Sequence, residues 1–196
     1  MTNLYIWFSN LTINKIHMKN PLLPFAFFII TLVSSVQLTA QEFKSLDKSP
    51  MDVATFPSSY TISDKVVKVI YSRPQLNGRD LVKLAPPEKI WRTGANEAVE
   101  ITFYKDVIFG GKALNAGTYS LFTIPSLDGD WTVIINSAKN VWGSYYYKQD
   151  QDVIRVSGKT STIEENIEAF SMMFDKNMTL KMGWGKTVVS VSIKKI

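Results

Sequence analysis

The chain has no cysteine in 196 residues and a single histidine, His17. The first absence removes disulfides, thiolate nucleophiles and sulfur-ligated metals. It also removes lipid-anchored export, which needs a cysteine at the cleavage point, where Gln41 stands. The second absence is nearly as restrictive, because His17 falls in a segment that reads as a leader. The rest of the chain can build neither a Ser-His-Asp triad nor a Cys-His pair, and few zinc or copper sites. No metal-ligating set and no cofactor is read from the sequence, and no catalytic residue is assigned.

Acidic residues are missing from residues 1–40. There Met18-Lys19-Asn20 gives a short positive start, Leu22 to Val36 an apolar run, and Leu38-Thr39-Ala40 the small-residue spacing of a cleavage site. This is the layout of a secretory signal peptide, with Met18 as the expected true start. The apolar run of about 15 residues is shorter than the roughly 20 of a spanning helix. The mature protein is therefore expected in the periplasm or secreted, with no stable membrane span. With 40 of the 196 residues removed, 156 remain, enough for one domain with a substantial core. Losing Lys15 and Lys19 leaves 20 basic residues against 17 acidic, a net of +3. A charge that small, with both signs interspersed, excludes nucleic acid as the expected partner.

Sustained helical periodicity is the third thing lacking, apart from a weak acidic hint over Thr162 to Ala169. Period two dominates instead. Gln41 to Pro50 reads as a loose arm and Met51 to Thr61 as an edge strand or extended lead-in, so 41–60 is the N-terminal arm and 61–196 the domain. Strands are expected at 66–72, 99–103, 106–109, 118–124, 131–135 and 153–157. Three more faces follow: Phe170/Met172/Phe174, Met178/Leu180/Met182/Trp184 and Val189/Val191/Ile193. Asn77-Gly78, Gly110-Gly111, Asp128-Gly129, Asp175-Lys176-Asn177 and Gly185-Lys186 are turn signals, and Arg79 to Leu84 can form one helical turn. Gly185-Lys186-Thr187 looks like the end of a phosphate-binding loop. Leu180 stands where that motif needs glycine, and a strand follows instead of a helix. Nine or ten strands with short turns predict a single all-β domain, a β-sandwich or jelly roll.

The densest chemistry lies in Lys89 to Ala98, where Trp91, Arg92, Thr93, Gly94, Asn96 and Glu97 precede a clean strand. A structural account has Gly94 at positive φ, Thr93 and Asn96 satisfying a tight corner, Trp91 in the core and Arg92 donating to carbonyls or paired with Glu97. A functional account makes Arg92, Asn96 and Glu97, joined by Arg73, a ligand-binding corner. Trp142, Tyr145, Tyr146 and Tyr147 on a long loop read first as a cover over the end of the sandwich and second as an aromatic platform for a sugar or peptide. The candidate binding set is therefore Arg73, Trp91, Arg92, Thr93, Asn96, Glu97 and Trp142.

Three motifs carry a resemblance. Tyr71-Ser72-Arg73-Pro74, Trp91 to Glu97, and Gly117 to Pro125 followed by Trp131 to Ile134 are similar to the signature of a family of secreted bacterial domains of unknown function. The resemblance spans roughly Ser49 to Lys195. It implies export from a Gram-negative cell and one β-rich domain, and it lends no catalytic residue. The leading expectation is a non-enzymatic module that binds a small molecule, a glycan or a protein through the Arg/Asn/Glu corner. The alternatives are a carboxylate-dependent hydrolase of envelope glycans, drawing on Glu97, Glu100, Asp128, Asp130 or Asp80, and a purely structural or assembly module.

Overall fold

A computed structural model describes residues 43–196; the leader expected over residues 1–40 lies outside them. Alternating β-branched and aromatic residues produce ten strands: β1 (Met51–Phe56), β2 (Val67–Ser72), β3 (Val99–Phe103), β4 (Val107–Phe109), β5 (Lys112–Leu114), β6 (Gly117–Ile124), β7 (Trp131–Asn136), β8 (Asp152–Phe174), β9 (Leu180–Val191) and β10 (Ile193–Lys195). The sole α-helical element among the described residues is α1 (Leu81–Leu84), one turn ended by Pro86-Pro87. The fold is all-β. Seven strands form one antiparallel sheet in the order β1-β2-β3-β6-β7-β8-β9, and β10-β4-β5 form a second. Met51–Phe56 takes the edge-strand option, in register with β2 from Met51↔Ser72 to Phe56↔Val67.

Period two decides which side of each strand is dry. On β2, Val67, Val69 and Tyr71 join the core, while Lys68, Ile70 and Ser72 face the other way. On β3, Val99, Ile101 and Phe103 are buried and Glu100 and Thr102 are only partly so. The core is aromatic at its centre. Trp91 stacks on Trp184 with centroids 5.5 Å apart and meets Phe170 at 5.3 Å and Trp131 at 6.1 Å, both edge-on.

The sheet curls back on itself through the second half of β8. Tyr71 donates its hydroxyl to Met172 O (3.3 Å) and accepts from Met172 N (3.0 Å). Phe170 N donates to Pro74 O (2.9 Å), and Leu76 N to Glu168 O (3.0 Å). A residue of β2 and the chain just beyond it are thereby tied to the other end of the sheet.

Three local expectations are corrected. The acidic stretch Thr162 to Ala169 is strand, not helix, because it is the bulged middle of the 23-residue β8, where the register shifts between Thr162, Ile167 and Ser171. Its glutamates are exposed, Glu168 also accepting from Asn77 N (2.6 Å), which a strand accommodates as readily as a helix. Gly185-Lys186 is not a turn between two strands either. Gly185 sits at φ +60 inside β9, opposite Ile167, and a bulge uses the same left-handed glycine that a turn would. For the same reason the short strand expected at 153–157 is only the start of β8.

Candidate functional site

The 91–97 segment and the 137–148 loop, read separately from sequence, are joined in space. Ala98 N donates to Val141 O (2.8 Å), Gly143 N donates to Asn96 O (2.9 Å), and Glu97 bridges to Trp142. The corner folds this way because Trp91 is drawn into the core and exchanges both backbone bonds with Thr123 (2.8 and 2.9 Å), while Val99 N returns to Arg92 O (3.3 Å). The intervening residues must then turn within a few positions. The left-handed conformation falls on Thr93 (φ 61) and Asn96 (φ 59), not on Gly94 as expected. Gly94 is needed for proximity instead: a Cβ there would lie 3.1 Å from the Ser72 carbonyl oxygen.

The loop is anchored by a charged network. Arg155 Nε donates to Asp152 Oδ2 (2.6 Å), Arg155 Nη2 to Tyr147 Oη (2.6 Å), Tyr147 Oη to Asp152 Oδ2 (2.7 Å) and Asn136 Nδ2 to Asp152 Oδ1 (2.8 Å). The Asp152 carboxylate and burial set the direction for its neighbours. Burial first, then the hydrogen bond to Asp152, push the Tyr147 hydroxyl above its usual range, and the same carboxylate raises Arg155. The Tyr147 ring meets Phe122 edge-on at 5.2 Å. Phe122 and Ile134 are fully buried outside the main core, beneath this loop. Tyr147 is thus an anchor. Trp142, Tyr145 and Tyr146 remain exposed.

The expected binding residues are dispersed among different duties. Trp91 is core. Thr93 is buried, its hydroxyl donating to Trp91 O (3.3 Å) and Thr123 Oγ1 (3.1 Å). Arg73 does not join Arg92: it donates to Asp52 Oδ2 (3.0 Å), Phe170 O (3.1 Å) and Ser171 Oγ (2.7 Å), tying the β2 end to β1 and β8. Arg92 is not paired with Glu97, and its Nε is buried without a hydrogen-bond partner. Burial pulls its pKa below the ordinary guanidinium value, with the Tyr145 phenol acting in the opposite direction.

Glu97 has a different setting. It lines a cleft of about 240 Å³ with Met51, Ile70, Ser72, Glu100, Ser120 and Asn140, roofed beside Val141. Glu100 and Ser120 are directly paired across β3 and β6, and Ile70 faces Glu100 from β2. Ser72, Ser120 and Asn140 were not singled out from sequence, since alternation marks them only as facing away from the core. Which strands lie side by side decides that they converge. Among the remaining carboxylates, Asp130 lies elsewhere and is engaged: Thr160 N (2.8 Å) and Ser157 Oγ (3.0 Å) donate to it and lower its pKa.

Among the described residues no group of three or more acidic or histidine side chains is placed to hold a metal ion, and no helix is long and apolar enough to cross a membrane. The family model of a protein of unknown function, DUF2911, matches residues 49–193, and the chain belongs to that family. No curated protein and no solved structure gives a match.

Proposed function

We propose that this DUF2911 protein is an exported, non-enzymatic binding module whose ligand occupies the cleft beside the 137–148 loop. One observation carries the reading. The cleft gathers two carboxylates, two hydroxyls and an amide against Met51, Ile70 and Val141, a mixture suited to orienting a small polar ligand on an apolar floor. Neither Glu97 nor Glu100 takes part in an ion pair among the described residues. The exposed aromatic Trp142 is bridged to Glu97 of the same lining.

A thermal-shift screen of the purified protein against glycans, organic anions and divalent cations tests it. A ligand at about 100 times its Kd stabilises by about 2.7 kcal/mol, which for a protein of this size raises Tm by roughly 5–10 °C. Ile70→Trp, which fills the cleft floor, should abolish that shift. A shift that survives Ile70→Trp places the ligand elsewhere and sinks the reading.

A second reading rests on Glu97 and Glu100 lining one cleft, since paired carboxylates are what histidine-free glycoside hydrolysis uses. It ranks lower because Glu97 is exposed, whereas an acid that keeps its proton near neutral pH is usually enclosed by apolar groups. Turnover of chromogenic glycosides that Glu97→Gln and Glu100→Gln both eliminate would promote it.

A further inference from the structure

Building on that reading of the cleft, we infer that its ligand is an amino sugar, a hydroxylated ring carrying a primary ammonium group. The charge of the lining sets the class. Glu97 and Glu100 are its only charged members, with no lysine or arginine among them. The two arginines nearest in sequence do not line it: Arg73 is paired with Asp52, and Arg92 stands outside the lining with its Nε buried. Two uncompensated carboxylates repel uronates, phosphates and carboxylic acids, and each offers a charge-assisted acceptor to an ammonium group.

Ser72 adds an independent sign that a polar ligand belongs there. It is only 4 % exposed and lines the cleft, and its hydroxyl, unbonded within the described residues, is not among the buried unpaired atoms and so opens onto the cleft. A hydroxyl that opens onto the cleft can both donate and accept, and a sugar hydroxyl supplies both donor and acceptor. Asn140 contributes an exposed amide on the same lining.

Size and surface narrow the choice further. A volume of about 240 Å³ falls below the roughly 300–1,000 Å³ of drug-sized sites, and accommodates one ring rather than a long chain. Met51, Ile70 and Val141 offer it an aliphatic floor. Trp142, bridged to Glu97 and 55 % exposed, offers an aromatic face for a neighbouring ring. A hard metal ion fits less well, since calcium takes six to eight oxygen ligands, usually including several carboxylates.

Calorimetric titration of the full protein decides the matter. The probes are a glucosamine tetramer, its fully N-acetylated counterpart, spermidine, oligolysine, oligogalacturonate and calcium chloride. The glucosamine tetramer should bind, weaken in 0.5 M salt, and lose roughly tenfold or more in affinity in Glu100→Gln and in Glu97→Gln. Ser72→Ala should weaken it without abolishing it, all variants keeping a near-native melting temperature. Failure of the glucosamine tetramer to bind overturns the proposal. So does equal binding of the acetylated tetramer, or equally tight spermidine or oligolysine, which would make the site a general cation or peptide-lysine site. Binding of the acetylated or acidic probe that Ile70→Trp abolishes would refute the amino sugar while leaving the cleft as the binding site. Glucosamine binding that persists in Ile70→Trp would remove both.

Discussion

Arg92 is half-buried and carries one buried donor, its Nε, that nothing among the described residues answers. Its backbone continues the segment that Trp91 pins to β6, and unlike Trp91 its side chain does not join the aromatic core. The aliphatic stem is useful as packing, but the buried Nε has no partner, and an unpaired buried donor costs about 1–3 kcal/mol. Replacement by an apolar residue of similar length should therefore cost little or help. We expect Arg92→Met to match or exceed the parent protein, with an urea midpoint unchanged or higher at constant slope. A loss of more than about 1 kcal/mol would show that Arg92 has a partner that matters. This reverses what residue types alone suggest, since Arg and Glu five positions apart beside a turn read as a pair. In space Glu97 belongs to the cleft instead.

The element that defines the architecture is β8. Its first half pairs with β7, its middle is bulged against β9, and its second half reaches across to the end of β2. A strand flanked by β7 and β9 can also reach β2 only if it bends and if its neighbours come close. Gly158 marks the crowded point, where a Cβ would lie 2.6 Å from both Val133 Cγ2 and Val189 Cγ1. Both neighbours are β-branched and fully or almost fully buried, so neither can rotate away cheaply. Gly158→Ala should destabilise by about 1–3 kcal/mol, read as a lower urea midpoint. Indifference to the methyl group would mean that β7, β8 and β9 are less closely packed here than the geometry requires.

For the whole molecule, stability should be flat across neutral pH and fall at both extremes. The sole histidine is His17, outside the described residues, so no described group has its ordinary pKa between pH 5 and 8. On the acid side, Asp64, Asp130 and Asp175 are held below their usual 3.8. The causes are, respectively, the Lys105 hydrogen bond, the Thr160 amide and the Thr179 amide. A depressed folded pKa contributes stability above the unfolded value that is lost as pH falls through the folded one. On the alkaline side, burial raises Tyr71 above 10.0. That contribution is complete below pH 10 and is lost as pH rises through the folded value. Urea midpoints should thus hold steady from about pH 5 to 9 and drop below about 3.8 and above about 10. Tyr71→Phe should lower stability at neutral pH, where the Met172 hydrogen bonds are lost, and soften the alkaline decline. An unaltered alkaline slope in that variant would remove Tyr71 from the explanation.

Hydrophobic alternation by itself determined the strand content, most strand positions and the membership of the core, because period two and burial are the same statement made locally. Residues such as Val99, Ile101 and Phe103 could face only one way. Tertiary structure alone decided which polar residues meet. Ser72, Glu97, Glu100, Ser120 and Asn140 come from separate parts of the chain, and strand order and curl bring them to one cleft. The same long-range contacts sent Arg73 to β8 and left the Nε of Arg92 buried without a partner, since a residue's type states what it can bond with but not what will stand beside it.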